Sequence, residues 1–362
     1  MKGRSVVGVT LPVLAVLAGA LCLSGCTNLG YYWQSATGHL KIMSAARPVN
    51  DWLGDPETPS QLRTRLALSQ RIRAFAVTEL KLPDNPSYHR YADLHRVAVV
   101  WNVVAAPPYS LTLRQWCFPV TGCVGYRGYF DEAQARAERD RQLAEGYESS
   151  VYPVPAYSTL GWMNWAGGDP LLNTFINYPE GELARLIFHE LAHQVVYARD
   201  DTMFNESFAT AVERLGSSRW LAEQASAAAR DEYAQYDARR SEFRALAQAT
   251  RARLAQAYEA TQGDERDARK QAILREFREA YARLRDRWGG DPARFRGYDR
   301  WVESANNASF GAQAAYDELV PGFEALFVRE GRDWSHFYDA AKRLAALPKT
   351  QRHQLLKEGS GA

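Results

Sequence analysis

The stretch "LIFHELAHQVVYARDDTMFNESFATAVE" (residues 186–213) carries the side chains on which the predicted fold and chemistry depend. His189 and His193 are four residues apart, so on a helix their rings leave the same face. Two imidazoles placed in this way supply neutral nitrogen ligands of the kind that zinc takes. Glu190 follows the first histidine and is placed to accept a proton from a water activated by the metal. The spacing therefore predicts a zinc ion at His189 and His193, with Glu190 as general base.

The neighbours of these polar residues are apolar. They are Leu186, Ile187, Phe188, Leu191, Ala192, Val195 and Val196. A helix that is apolar on most of its surface is buried, and buried imidazole and carboxylate groups need partners. A bound metal supplies those partners. The alternative interpretation, two amphipathic helices with polar residues in ordinary surface positions, does not.

A third metal ligand is expected from a second helix. Glu206 follows His193 by 13 positions, after a tight loop, and two antiparallel helices would bring it up to the histidines. Two histidines and one glutamate, with the fourth position left to water, form an open catalytic zinc set. The alternative is that Glu206 is only an acid in the first turn of its helix.

Two further residues of this stretch have expected supporting roles. Glu213 lies seven residues after Glu206 on the same helical face and is predicted to orient one of the ligand histidines from behind. Asn205 is predicted to cap the N-terminus of the second helix. The pattern places the two helices at residues 180–197 and 205–215.

The N-terminal segment has the features of an export signal. Lys2 and Arg4 precede an apolar run over residues 6–23, which ends in "LSGC" (residues 23–26). This ending resembles a bacterial lipobox, which implies cleavage before Cys26 and attachment of lipid to its sulfur. A plain signal peptide and an N-terminal anchor helix are the alternatives.

The predicted location is the bacterial cell envelope. Thr27, rather than an aspartate, follows the lipidation site, which favours the outer membrane facing the periplasm. No later run is long and apolar enough to span a bilayer. A formal net charge of +2 predicts no nucleic-acid partner.

Cysteine usage agrees with export. Cys22 leaves with the signal and Cys26 is lipidated, so Cys117 and Cys123 remain. In an oxidising compartment this pair is predicted to form a disulfide across a short turn. A pair of metal ligands is the alternative.

The rest of the chain predicts an α+β fold that is mainly helical. The expected elements are a helix over residues 60–80, a buried strand over 96–106, a surface helix over 131–145 and two extended pieces within 149–165. The expected segments are a signal peptide (1–25), a lipidated tether and N-terminal segment (26–57), a core (58–218), a long helical hairpin (219–288) and C-terminal helices that pack on the core (289–362).

Three motifs together resemble one family. They are "HELAHQVVYARDDTMFNESFATAVE" (189–213), "CFPVTGCVGYRGYF" (117–130) and the lipobox, and they resemble the bacterial family described as putative aminopeptidases, zinc metallopeptidases of gluzincin type. The resemblance covers most of the mature chain. It implies one zinc ion per chain at His189, His193 and Glu206, with Glu190 as the base. It also implies a zincin-like core, made of a small sheet, the HExxH helix and the glutamate helix.

The residues that would bind substrate are less well defined. Better-known gluzincin aminopeptidases hold the free amine with a glutamate in a Gly-x-Met-x-Asn strand, and the nearest match here, "GWMNW" (161–165), lacks that glutamate. Cleavage at the N-terminus and cleavage within the chain therefore both stay open. The segment "YSTLGWMN" (157–164) either pairs with substrate backbone at a sheet edge or belongs to the core. Tyr157, Tyr197 and Tyr316 are the candidate oxyanion donors.

These features together predict a membrane-tethered zinc peptidase that hydrolyses peptides, with aminopeptidase activity implied by the resemblance. One alternative is a non-catalytic lipoprotein whose helical hairpin (219–288) binds a protein partner. A second alternative is a zinc amidase that acts on cell-wall peptides through the same site.

Overall fold

The computed structural model describes residues 30–118, 122–289 and 292–359. The chain divides after Ala45 into a short N-terminal unit and a large unit. In the N-terminal unit, residues 30–45 are helical (α1). The predicted signal segment and the lipidation site at Cys26 lie outside the described residues.

The large unit is built mainly from helices. Its helices are α2 (Val49–Gly54), α3 (Ser60–Thr78), α4 (Glu132–Ala144), α5 (Glu180–Ala192), α6 (Thr202–Glu223), α7 (Ala227–Ala260), α8 (Gly263–Trp288), α9 (Arg296–Glu303), α10 (Asn307–Ala315), α11 (Val320–Arg329), α12 (Trp334–Ala345) and α13 (Lys349–Gly359). Its strands are β1 (Arg47–Pro48), β2 (Arg90–Ala92), β3 (Val100–Ala106), β4 (Trp116–Phe118), β5 (Gly122–Val124), β6 (Arg127–Tyr129), β7 (Glu148–Val154) and β8 (Leu171–Leu172). The prediction of a mainly helical α+β fold is confirmed.

The strands form three small sheets, in the orders β1-β2-β8, β6-β3-β7 and β4-β5. The first sheet joins β1 and β2 antiparallel and β2 and β8 parallel. None of the helices within the described ranges is long and apolar enough to cross a membrane.

The central sheet is antiparallel, with β3 between β6 and β7. Every residue of β3 is buried, because α4 and α10 both pack on it. This explains the β-branched, apolar run that predicted a strand here, although the strand begins only at Val100. The predicted surface helix is α4, and Asp131 caps it by accepting a hydrogen bond from the backbone N–H of Gln134 at 2.9 Å.

The β4–β5 hairpin contains the predicted disulfide. Cys117 lies opposite Cys123 in the register, and the two form a disulfide with their Cα atoms 3.9 Å apart. The alternative of a metal-binding cysteine pair is therefore wrong. The backbone N–H of Cys123 also donates a hydrogen bond to Oδ1 of Asp200 at 2.6 Å. This contact attaches the hairpin to the loop between α5 and α6.

Helices α5 and α6 pack closely in the core. Gly216 of α6 has no room for a side chain, because a Cβ there would lie 2.7 Å from Leu80 and 3.0 Å from Phe188. Phe75 fills the space beside this contact, with its ring 6.1 Å from that of Phe188 and 5.2 Å from that of Trp220. Dense packing of this kind fixes the relative position of the two helices.

The predicted long helical pair is formed by α7 and α8, which meet at Thr261 and Gln262. It starts at Ala227, because residues 219–223 complete α6. The buried faces of the pair share one hydrophobic cluster with Val302 and Phe310 of the helices that follow. The hairpin is therefore packed against the C-terminal helices.

Candidate functional site

Helix α5 carries the first two candidate ligands. It begins directly after Pro179, and Glu180 and Glu182 lie in its first turn, where negative charge is favourable to the helix dipole. The helix ends at Ala192, five residues before the predicted end at Tyr197. His193 follows it and keeps helical backbone angles (φ −58°, ψ −21°), so the four-residue spacing to His189 still places both rings on one face.

Three side chains converge at this point. The Nε2 atoms of His189 and His193 are 3.2 Å apart, and Oε2 of Glu206 lies 3.3 Å and 3.6 Å from them respectively. With zinc–ligand bonds of about 2.0–2.2 Å, neighbouring ligands of a tetrahedral ion stand about 3.3–3.6 Å apart. The group could therefore hold a metal ion, and its spacing and donor types suit zinc.

The acids at this cluster favour a positive charge among the three candidate ligands. Burial alone raises the pKa of Glu206, but the adjacent His193 and His189 outweigh it and lower that pKa to about 2. Burial lowers the pKa of His189, but Glu206 and Glu213 outweigh it and raise that pKa well above its ordinary value. The carboxylates thus stay ionised and attract positive charge, which either a proton or a metal ion can supply.

Glu213 stands behind the first histidine. Its Oε2 lies 3.0 Å from Nδ1 of His189, and its Oε1 accepts a hydrogen bond from Nε of Arg185 at 2.8 Å. With Nδ1 protonated toward Glu213, Nε2 of the same ring presents its lone pair to the cluster. Arg185 was missed by sequence reasoning, although its position one turn before His189 on the same face was an available signal.

The start of α6 corrects one prediction. The helix begins at Thr202 and its cap is Asp201, which accepts a hydrogen bond from the backbone N–H of Phe204 at 3.2 Å. Asn205 lies inside the helix, so its prediction as the N-cap is wrong. Its side chain instead accepts from the N–H of Ala198 (2.7 Å) and donates to the carbonyl of the same residue (2.9 Å). Asn205 thereby holds the loop that leads into the glutamate helix.

The C-terminal helix α13 binds the same loop. The carboxylate of Asp201 is fully buried, with Nε of Arg352 at 2.7 Å and Nε2 of His353 at 2.8 Å from Oδ2. Nζ of Lys349 donates to the backbone carbonyl of Asp200 at 3.1 Å. Three side chains near the end of the chain therefore fix the position at which the glutamate helix begins.

Glu190 differs from the other acids at this site. It is buried, and no hydrogen bond or ion pair with another described residue engages its carboxylate. Burial raises its pKa, against the opposing effect of His189 and His193. An ionised carboxylate without hydrogen bonds in such surroundings is a stronger base than one in water. A cavity of about 380 Å³ opens beside Glu190 and His189.

A family model described as "Putative aminopeptidase" matches residues 30–356 of this chain. The chain belongs to the putative aminopeptidase family. The resemblance to the putative aminopeptidase family is thereby confirmed, and the family's description names a peptidase activity. Comparison with the curated proteins and with the solved structures gave no significant match.

The three candidate oxyanion donors of this aminopeptidase-family protein lie in different places. Tyr316 stacks on His189, with ring centroids 6.4 Å apart, and lines the cavity beside the cluster. Burial raises the pKa of Tyr197 to about 12, and the nearby Glu206 contributes to this increase. Tyr157 packs edge-on against Phe130, with ring centroids 5.7 Å apart. The ring of Tyr316 thus contacts a candidate ligand in the described structure.

The second predicted extended piece does not form a strand. In this aminopeptidase-family protein β7 ends at Val154, residues 157–159 have no regular structure, and residues 160–167 form turns around a short 3₁₀-helix, Asn164–Ala166. Leu160 and Gly161 have positive φ angles (56° and 77°), which are incompatible with a strand. The expectation of a strand over residues 157–164 is therefore wrong. In contrast, β7 lies at the edge of its sheet, as its prolines indicate.

This loop ends at a buried acid that sequence reasoning missed. Asp169 is buried and accepts a hydrogen bond from the backbone N–H of Thr159 at 3.0 Å. Burial raises its pKa to about 6, although hydrogen bonds from Thr159 and Ser158 oppose the shift. Its negative charge also contributes to the raised pKa of Glu190.

Proposed function

We propose that this chain is a zinc-dependent peptidase, tethered to the bacterial outer membrane through lipidated Cys26 and facing the periplasm. The observation that carries the proposal is the convergence of His189, His193 and Glu206 next to Glu190. No hydrogen bond or ion pair from the described residues engages the carboxylate of Glu190. Two imidazoles and one carboxylate leave one position of a tetrahedral zinc ion open, as hydrolytic zinc sites require.

The zinc ion, when bound, would polarise the scissile carbonyl and make a water more acidic. Glu190 accepts the proton of that water as its oxygen attacks the carbonyl carbon, and then delivers the proton to the nitrogen of the leaving amine. The C–N bond breaks, and the products are a carboxylic acid and an amine. Glu213 holds His189 in one orientation throughout. The phenol of Tyr316 donates a hydrogen bond to the oxygen on which charge develops.

The family's description supports cleavage of the N-terminal residue. Sequence reasoning left this point open because "GWMNW" lacks an amine-binding glutamate. We propose aminopeptidase activity on the strength of the family alone. The position of the cleaved bond in a peptide tests this proposal.

The catalytic proposal is tested with purified mature protein and its Glu190→Gln variant. Zinc per chain is measured by mass spectrometry, and both proteins are incubated with a peptide library. We expect about one zinc ion in each protein and cleavage by the wild type only. Equal cleavage by both proteins would overturn the mechanism, and failure to bind zinc on reconstitution would overturn the site. The positions of the cleaved bonds separate N-terminal from internal cleavage.

The tether is tested separately by membrane fractionation. Cys26→Ser is expected to move the protein from the membrane fraction to the soluble fraction. Cys22→Ser, within the predicted signal, is the matched control and is expected to leave the protein on the membrane. Retention at the membrane of a Cys26→Ser protein from which residues 1–25 have been removed would contradict the lipid anchor.

A further inference from the structure

The cavity beside the candidate metal site has walls from α5, α6, α7 and α10. At one end it reaches His189 and Glu190, and its volume of about 380 Å³ is within the range of small-molecule pockets. Leu186 and Phe243 give it apolar surface. A peptide cleaved at this site would have room to place a side chain or its C-terminus in the cavity.

Two of the three arginines in the cavity wall are satisfied by acids of the protein. The two terminal nitrogens of Arg240 donate to the two carboxylate oxygens of Glu182, at 2.9 Å and 2.7 Å. Arg185 is bound through Nε to Glu213 at 2.8 Å. These pairs leave little positive charge for a ligand.

Arg244 is different. Its Nε lies 2.9 Å from Oδ1 of Asp317, but the same oxygen is 3.1 Å from a terminal nitrogen of Arg214. Oδ1 of Asp317 therefore faces two guanidinium groups, of which Arg214 also has Glu324 at 3.7 Å. Within the described part of the chain, no hydrogen bond uses the terminal nitrogens of Arg244. Burial lowers the pKa of Arg244, against the effect of Asp317, which indicates that its charge is incompletely compensated.

Gln313, which also lines this cavity, has an unsatisfied polar group. Its amide oxygen is buried and has no hydrogen-bond partner among the residues that the structure describes. An unpaired buried acceptor is unfavourable, and an N–H group of a ligand would satisfy it. A peptide supplies both a backbone N–H for Gln313 and, at its C-terminus or in an acidic side chain, a carboxylate for Arg244.

We propose that Arg244 binds a carboxylate of the substrate while Gln313 accepts a hydrogen bond from its backbone. Peptides with a free C-terminal carboxylate or an acidic side chain in this cavity are thus the preferred substrates. Guanidinium groups bind carboxylates in a planar, two-bond geometry, and the free terminal nitrogens of Arg244 are the donors required. This inference rests on the proposed peptidase function.

The ligand chemistry is tested first without altering the cavity. Zinc-loaded Glu190→Gln protein is titrated with peptide pairs that differ in one group, and binding is measured by calorimetry. One pair compares a free C-terminal acid with its amide, and the other compares an internal glutamate with glutamine in an amidated peptide. We expect at least one acid to bind about tenfold more tightly than its neutral partner, which corresponds to about 1.4 kcal/mol. The pair that shows the difference identifies the source of the carboxylate.

The residue is tested next, in the same Glu190→Gln background. Arg244→Gln is expected to remove the preference for the acid, and Arg244→Lys to retain part of it. Arg253→Gln is the matched control, because Arg253 is an exposed arginine of the same helix that pairs with Glu276. It is expected to leave the preference unchanged. Asp317 keeps Arg214 as a partner in the Arg244 variants, and thermal melts establish that they fold.

Equal binding of acids and amides in both pairs would overturn the inference, as would an unchanged preference in Arg244→Gln. The proposed function fails in a different way. If wild-type protein cleaves peptides without regard to their carboxylates, only the carboxylate site is wrong. If it cleaves nothing while the variant still distinguishes acid from amide, only the peptidase proposal is wrong.

Discussion

Nδ1 of His189 lies 3.0 Å from one oxygen of Glu213, whose other oxygen accepts a hydrogen bond from Arg185. Glu213 therefore positions the candidate ligand His189, and Arg185 in turn positions Glu213. Since Glu213 and Arg185 lie on different helices, these contacts also join α5 to α6 beside the candidate metal ligands. They make the orientation of the ring depend on the packing of the two helices.

Glu213→Gln tests this support. The variant keeps the size of the side chain but loses the negative charge that favours a proton on Nδ1 of His189. Loss of such a partner weakens metal binding about 10- to 100-fold, and we expect that range for zinc, measured by competition with a chelator. Glu259→Gln, at an exposed position of α7, is the control. Equal zinc affinities of the two variants would contradict the role of Glu213.

Tyr316→Phe tests the oxyanion donor. Burial raises the pKa of Tyr316 well above its ordinary value, so the phenol keeps its proton at neutral pH. Removing one oxyanion donor costs about 100- to 1000-fold in kcat, and we expect this loss with unchanged zinc content. Tyr157→Phe and Tyr197→Phe are the matched controls. If either of them loses as much activity as Tyr316→Phe, the assignment to Tyr316 is wrong.

Asn205→Ala tests the loop that leads into the glutamate helix. It leaves the buried N–H and carbonyl of Ala198 without their present partners, which is expected to lower the free energy of unfolding by about 2–4 kcal/mol. We also expect weaker zinc binding, because the loop sets the position of Glu206. Denaturant unfolding gives the first quantity and chelator competition the second. Asn50→Ala, on the exposed side of α2, should change neither, and a stable Asn205→Ala protein would refute the prediction.

Asp169 predicts a dependence of stability on pH. Its pKa is raised from 3.8 to about 6 in the folded protein. Between these values the unfolded chain loses the proton first, so the free energy of unfolding falls as pH rises from about 4 to about 6 and then stays low. At about 1.4 kcal/mol per pH unit, the loss is at most about 3 kcal/mol.

Asp169→Asn cannot ionise, so its free energy of unfolding should not fall between pH 4 and pH 6. We therefore expect the variant to be more stable than the wild type above pH 6 but not at pH 4. Thermal melts across this range measure the effect. Asp286→Asn, at an exposed position, is expected to follow the wild-type curve. A wild-type protein whose stability does not fall between pH 4 and pH 6, relative to Asp169→Asn, would show that the acid is not buried as described.

Local spacing explains what could be predicted from the sequence. His189 and His193 share a helical face whatever the rest of the chain does, and the apolar residues around them indicated burial. The β-branched run of β3 and the acid before α4 were equally local signals. The family match, which covers residues 30–356, gives the same family that the motifs indicated.

The errors came where tertiary contacts decide between local alternatives. Asp201 and Asn205 are both good capping residues. Asp201 caps the helix and is held there by Arg352, which is remote in sequence. Asn205 instead binds the backbone of Ala198 in the preceding loop. The segment after β7 reads as extended, but positive φ at Leu160 and Gly161 turns it. The cavity that contains Arg244 draws its walls from four helices, and no local pattern predicts such a grouping.

The pairing of Asp201 with Arg352 and His353 has a consequence for how the protein matures. A ribosome makes α5 and α6 long before α13, so a nascent or truncated chain contains all three candidate ligands but lacks the side chains that hold the start of the glutamate helix. Such chains are expected to bind zinc poorly and to hydrolyse little. Completion of the polypeptide is therefore expected to precede metal binding by the three candidate ligands.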